Sequence, residues 1–139
     1  MDLEQEKVVW AESEFWAQQH QPTLLENGNI LLFDNVGVKG YSRVLEFDPV
    51  AREIVWQYGG QAQEPFFSRA IGSCQRLPNG NTLITDSESG RAFEIAPDRA
   101  IVWEYVNPHR AGPAGNLIAT LFEVVRIDRD CVKAWLPEK

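Results

Sequence analysis

The chain has 139 residues, enough for one ordinary domain or a few units of a repeat array, and too few for two unrelated full domains. Its 44% apolar and 11% aromatic content, with five Trp, excludes an intrinsically disordered chain. Thirteen basic against 20 acidic side chains leave a formal charge of −7, which argues against a nucleic-acid partner and against an anionic membrane surface. The segment Met1-Asp2-Leu3-Glu4-Gln5-Glu6-Lys7 carries acid where a signal peptide carries base. No apolar run of about eighteen residues follows, so the chain is read as cytoplasmic and unexported. Two cysteines, Cys74 and Cys131, make neither a disulfide framework nor a four-ligand zinc pattern, and both are expected to be buried free thiols.

In chain order, Lys7-Val8-Val9-Trp10 reads first, as a lone strand within residues 7–12. A unit spanning residues 20–60 follows, with strands expected at 23–26, 30–34, 43–48 and 54–58, each rich in β-branched and aromatic residues. Asn27-Gly28-Asn29 joins the first two, and Asn-Gly is the preferred pair of a type I′ hairpin turn. Asp48-Pro49 opens the turn between the last two, where Pro fixes φ and ends the ladder. Residues 73–108 repeat this unit. Leu25-Glu26-Asn27-Gly28-Asn29-Ile30-Leu31 recurs as Leu77-Pro78-Asn79-Gly80-Asn81-Thr82-Leu83, Ser42-Arg43-Val44-Leu45-Glu46-Phe47 as Gly90-Arg91-Ala92-Phe93-Glu94-Ile95, and Ile54-Val55-Trp56-Gln57-Tyr58 as Ile101-Val102-Trp103-Glu104-Tyr105. Residues 116–136 supply a partial unit, with inner strands expected at 117–127 and 131–136.

A repeat of about 45 to 50 residues made of four strands is the mark of a β-propeller blade. The fold expected is therefore all-β: four-stranded antiparallel blades, about two and a half to three in this single repeat domain of residues 1–139. A blade cannot bury both faces alone, so Trp56, Trp103 and Trp10 are expected to fill the space between neighbours. Three blades cannot close a ring, and the chain ends are complementary. A second copy is expected to complete six blades, the N-terminal strand of one chain finishing the last blade of the other.

The residues His20-Gln21-Pro22-Thr23-Leu24-Leu25-Glu26-Asn27-Gly28-Asn29, then Ser42-Arg43-Val44-Leu45-Glu46-Phe47-Asp48, then Ile54-Val55-Trp56-Gln57-Tyr58 resemble the blades of the bacterial arylsulfotransferase family. The resemblance spans roughly residues 7–108, and more loosely Leu121-Phe122-Glu123-Val124-Val125-Arg126. It implies a six-bladed propeller, usually exported, that passes sulfate between phenols through a channel histidine. Here it covers only the C-terminal portion of such a protein. Carried over residue by residue, it offers His20 as the catalytic histidine and Arg43 as a sulfate partner. The second unit has Gly72-Ser73-Cys74-Gln75 where His20 falls, and no histidine, which departs from the family's chemistry.

In a four-strand meander, the link into the first strand and the link between strands two and three leave on one face. His20, residues 34–41, Cys74, Gln75 and residues 86–91 then share that face, opposite the Asn-Gly and Pro turns. A ligand, small and anionic or aromatic, is expected there, with Asn35, Tyr41, Arg43, Gln75 and Arg91 as its contacts. His20 has the chemistry of a nucleophile or general base, and equally that of a strand-entry histidine bonded to a backbone carbonyl. Arg43 and Arg91 recur at one position, which suits a repeated structural contact with Asp34 and Asp86 better than a repeated anion site. Asp34-Asn35 and Asp86-Ser87 lack the alternating ligands of a calcium loop and read as turn caps, so no metal is expected. His109 sits in a Pro- and Gly-rich connector and reads as a solvated loop residue. No P-loop, dinucleotide motif or serine elbow is present, and no cofactor is expected. Three functions stay open: a non-catalytic binding or assembly propeller, which we take as the reading, a sulfotransferase using His20, and a protein-interaction scaffold.

Overall fold

The protein is described by a computed structural model covering residues 2–135. Leu136, the end of the last expected strand, lies outside the described residues. Two four-stranded antiparallel sheets form in strict sequence order, one from β1 (Gln19–Leu24), β2 (Ile30–Val38), β3 (Tyr41–Asp48) and β4 (Glu53–Gly59), the other from β5 (Ser73–Arg76), β6 (Thr82–Asp86), β7 (Arg91–Ile95) and β8 (Ile101–Val106). The two repeat units are these two sheets, and each is a propeller-type blade. The inner strand β5 lies against β1 and β2 of the first blade.

The period of two sorts the side chains between faces. Leu31, Phe33 and Val44 of the first blade meet Cys74, Ile84, Phe93 and Ile95 of the second, with Tyr58 and Phe66 completing one buried core between them. Phe66 is 5% exposed and sits edge-on to Phe33 and Phe93, with ring centroids 5.7 Å away in both cases. The opposite face of the first blade, Leu32, Leu45 and Phe47, is covered by Phe15 and Trp16. Trp56 packs against the interblade core, as its recurrence implied.

Several local expectations are corrected. The Asn-Gly turns are not type I′: only Gly28 (φ 87°) and Gly80 (φ 86°) of these loops have positive φ. Gly28 N–H donates to Leu25 O and Leu25 N–H to Asn29 O, the pattern of a type I turn followed by a left-handed glycine. Asn27 Oδ1 accepts the Asn29 N–H instead of adopting positive φ itself, and Asn79 does the same for Asn81. The stretch 34–41 is less a loop than a hairpin extension, since β2 runs to Val38 and pairs Val38 with Tyr41. The segment at 7–12 forms no strand. Trp10 folds onto Phe47 of its own first blade, 6.5 Å between ring centroids.

The expected inner strands after residue 116 are also absent. Residues 117–118 form β10 (Leu117–Ile118), paired to β9 (Arg110–Ala111) beyond a 3₁₀ turn, and Cys131 falls in the single-turn helix α1 (Arg129–Val132), exposed rather than buried. Residues 121–126 nevertheless occupy the place of the next inner strand. Arg76 bonds Glu46 at 2.9 Å and lies over the Trp56 ring at 4.8 Å; Arg126 bonds Glu94 at 2.7 Å and lies over Trp103 at 5.8 Å. The same Glu-Arg-Trp clamp thus docks two successive segments, each on the blade before it.

Candidate functional site

Pro22 has no N–H, and β1 absorbs it by a register shift between His20 and Thr23 that puts Gln21 at φ 48°. The bulge sends the Gln21 amide across to the neighbours: its Oε1 accepts the Cys74 N–H at 3.0 Å and its Nε2 donates to the Glu123 carboxylate. Gln75 repeats the device, accepting the Arg126 N–H at 2.8 Å and donating to Arg126 O at 3.1 Å. Most of β1 is exposed, as suits a strand that lines an open axis. A groove of 780 Å³ follows these inner strands, lined by Gln21, Thr23, Gln75, Arg76 and Val125 and reaching the Asn-Gly turns.

His20 stands at the other end of β1, half-buried and paired with Phe33. Its Nδ1 lies 2.7 Å from Asn35 Oδ1 and 3.1 Å from Gln18 O. Asn35 is fully buried, and its Nδ2 donates to Ser68 O and Ile71 O, so the oxygen must face the imidazole. Two acceptors therefore hold the proton on Nδ1, and the lone pair of neutral His20 is on Nε2. The backbone carbonyl expected for a structural histidine and the orienting group expected for a reactive one are both present.

The remaining candidates are not gathered around His20. Arg43 is locked inside its blade: Nε donates to Asp34 at 2.7 Å, Nη1 to Gln57 at 3.1 Å and Nη2 to Phe15 O at 2.6 Å. Arg91 donates to Glu104 at 2.5 Å and lies over the Phe93 ring. Tyr41 and Arg91 line a separate cleft, and Gln75 belongs to the groove. Burial pushes the Cys74 thiol up to about 12, which leaves it inert beside the groove. The Glu-Arg-Trp clamp and Gln21 were missed from the sequence; the near-equal spacings from Glu46 to Arg76 and from Glu94 to Arg126 were the available signal. Among the described residues, no group of three or more His, Cys, Asp or Glu side chains is placed to hold a metal ion, and no helix is long and apolar enough to cross a membrane.

Consecutive four-stranded meanders, stacked face to face with their first strands on a common open side, define a propeller-type repeat protein. The sequence over residues 3–108 matches the family model described as arylsulfotransferase (ASST), and the chain belongs to that family. No curated protein and no solved structure matches it.

Proposed function

We propose that this chain is a non-catalytic, ligand-binding form of the arylsulfotransferase propeller, which holds a small aromatic or anionic molecule near His20 and associates with a second copy. One observation carries the non-catalytic reading: Arg43 and Arg91 are both spent on contacts within their own blades, so neither stands ready for a sulfate at His20. Moving a sulfuryl group builds charge on the transferred oxygens and the leaving phenolate, and losing one preorganised donor from such a site typically costs about a hundredfold or more in rate. The test is incubation with 4-nitrophenyl sulfate and phenol. Nitrophenolate release should stay at background, while either compound binds and His20→Ala weakens that binding. Unchanged binding in His20→Ala would refute the placement of the ligand.

A second reading, transfer through His20, is favoured by the held tautomer. In it the Nε2 lone pair forms a bond to sulfur as the sulfur–oxygen bond to the donor phenol breaks, and the electron pair leaves on that oxygen. The acceptor phenol, deprotonated, then takes the sulfuryl group from Nε2. Turnover that His20→Ala abolishes would establish this reading in place of the first. Self-association is supported by the apolar outer strand β8, where Ile101, Val102, Trp103, Tyr105 and Val106 are all exposed. Light scattering should give the mass of two chains, and a monodisperse monomer would refute the pairing.

A further inference from the structure

The second blade contains a buried carboxylate that has lost its arginine partner. Asp86 ends β6 at the position that Asp34 holds in β2, and each pairs across the ladder with an arginine, Asp86 with Arg91 and Asp34 with Arg43. In the first blade the carboxylate is saturated: Oδ1 accepts the N–H groups of Ala17 and Gly37, and Oδ2 accepts Arg43 Nε. In the second blade only the turn donor has a counterpart, Ser89, which hydrogen-bonds the carboxylate through its N–H and hydroxyl; the other two donors do not arrive. The N–H of Arg69, the sequence counterpart of Ala17, goes to Glu88 at 2.9 Å. Arg91 turns away to Glu104.

One residue difference accounts for the change. Gln57 faces Leu45 across the ladder as Glu104 faces Phe93, so the two occupy one repeat position. The neutral Gln57 takes only an Nη1 of Arg43 and leaves Nε to Asp34. The ionised Glu104 captures Arg91 Nε itself. Asp86, 3% exposed, is left with Oδ1 buried and unpartnered among the described residues.

That residue lines a cleft of 360 Å³ together with Tyr41, Phe66, Phe67, Ser89 and Arg91. We propose that this cleft, apart from the His20 site, binds an organic ammonium ion whose N–H donates to Asp86 while its apolar body lies against Tyr41 and Phe67. The cation supplies the charge that Arg43 supplies in the first blade. Burial raises the Asp86 carboxyl from its ordinary value against the opposing effects of Ser89 and Arg91, so an arriving cation relieves a desolvated acid. Aromatic faces add attraction for the ammonium group. Arg91 does not repel it strongly, because Glu104 already neutralises the guanidinium, and Glu88 adds negative charge beside the cleft. The overall charge of −7 steers cations rather than anions to the surface.

The experiment is calorimetric titration of the full chain carrying His20→Ala, which removes the site proposed above for aromatic or anionic molecules, with benzylammonium chloride, and with benzyl alcohol and benzoate as neutral and anionic isosteres. Benzylammonium should bind at least about tenfold more tightly than either isostere, a margin of about 1.4 kcal/mol. Asp86→Asn should lose that margin. So should Glu104→Gln, which alters an exposed side chain outside the cleft and frees Arg91 to close on Asp86. Far-UV circular dichroism of both variants checks that the sheets persist, and Glu104→Gln keeps the test decisive should Asp86→Asn unfold. Equal binding of the three probes, tighter binding of benzoate, no heat up to about 10 mM ligand, or full affinity in the folded Glu104→Gln variant would each overturn the proposal.

Discussion

Asp34→Asn and Asp86→Asn are the same substitution at the same repeat position, and their effects on stability should differ by several kcal/mol. The amide introduced by Asp34→Asn keeps an oxygen for the Ala17 and Gly37 N–H groups, which both bond Oδ1, but turns an NH2 toward the Arg43 Nε that Oδ2 had accepted. Donor then faces donor, and the Arg43 side chain, 12% exposed, loses its counter-charge. Removing one member of a buried ion pair costs about 3–5 kcal/mol. Arg43 retains Phe15 O and Gln57, which places the loss near the lower end, about 3 kcal/mol, or a fall of about 10 °C in Tm for a chain of this size. Among the described residues Asp86 has no ion-pair partner to lose, and its raised carboxyl means the ionised form opposes folding once the pH exceeds the ordinary carboxylate value. Asp86→Asn should therefore lie within about 1 kcal/mol of the parent at neutral pH, on the stabilising side. Thermal melts followed by circular dichroism in one buffer decide it. Equal losses in the two variants, or a loss only at Asp86, would refute the reasoning.

Hydrogen bonds from Arg99, Gly59 and Gln61 hold the Glu64 carboxyl down at about 2, against 4.5 ordinarily. Because the folded value is the lower one, this contact stabilises above pH 4.5 and its contribution is lost as the pH falls toward 2. Glu64→Gln should flatten that part of the stability profile, and an unchanged acid limb in Glu64→Gln would count against it. Phe66→Ala removes a ring packed between Phe33, Tyr58 and Phe93 and should cost about 3–5 kcal/mol by denaturant titration, whereas a loss below about 1 kcal/mol would show that the two blades do not share a core. A thiol reagent at neutral pH should modify Cys131 alone, with Cys74 reacting only after unfolding; two fast equivalents from the native chain would refute the burial of Cys74. Gly37→Ala would drive a methyl group into the Asp34 carboxylate and should approach the loss seen in Asp34→Asn, by the same melts.

The two blades were legible because the signals that specify them are local and repeat. Alternation in β-branched and aromatic strands, Asn-Gly and Pro turns, and a doubled motif all appear in the residue string itself. The type I′ expectation failed because Asn-Gly also satisfies a three-residue loop, in which glycine alone takes positive φ and the Asn side chain caps the turn. The segment 7–12 has strand chemistry, but a strand exists only where an edge is free to pair with it. In this chain Trp10 finds the ring of Phe47 first.

Site chemistry was less legible, because it depends on which of several equivalent partners a side chain reaches. His20 and Asn35 are fifteen positions apart, and their contact follows from β1 pairing with β2. Arg43 and Arg91 look alike in sequence, yet one closes on an aspartate and the other leaves its aspartate without an ion pair, a choice made by Gln57 or Glu104 one strand further out. Fold class and family resemblance could be read from the residue string, since burial periodicity and turn chemistry act over a few neighbouring residues. The docking of each following segment on the blade before it by Arg76 and Arg126, the held proton on His20 and the acid without an ion pair at Asp86 were settled in three dimensions. Each depends on a charge or hydrogen bond that only the packed sheets bring within reach, and its worth is set by how much water the packing excludes.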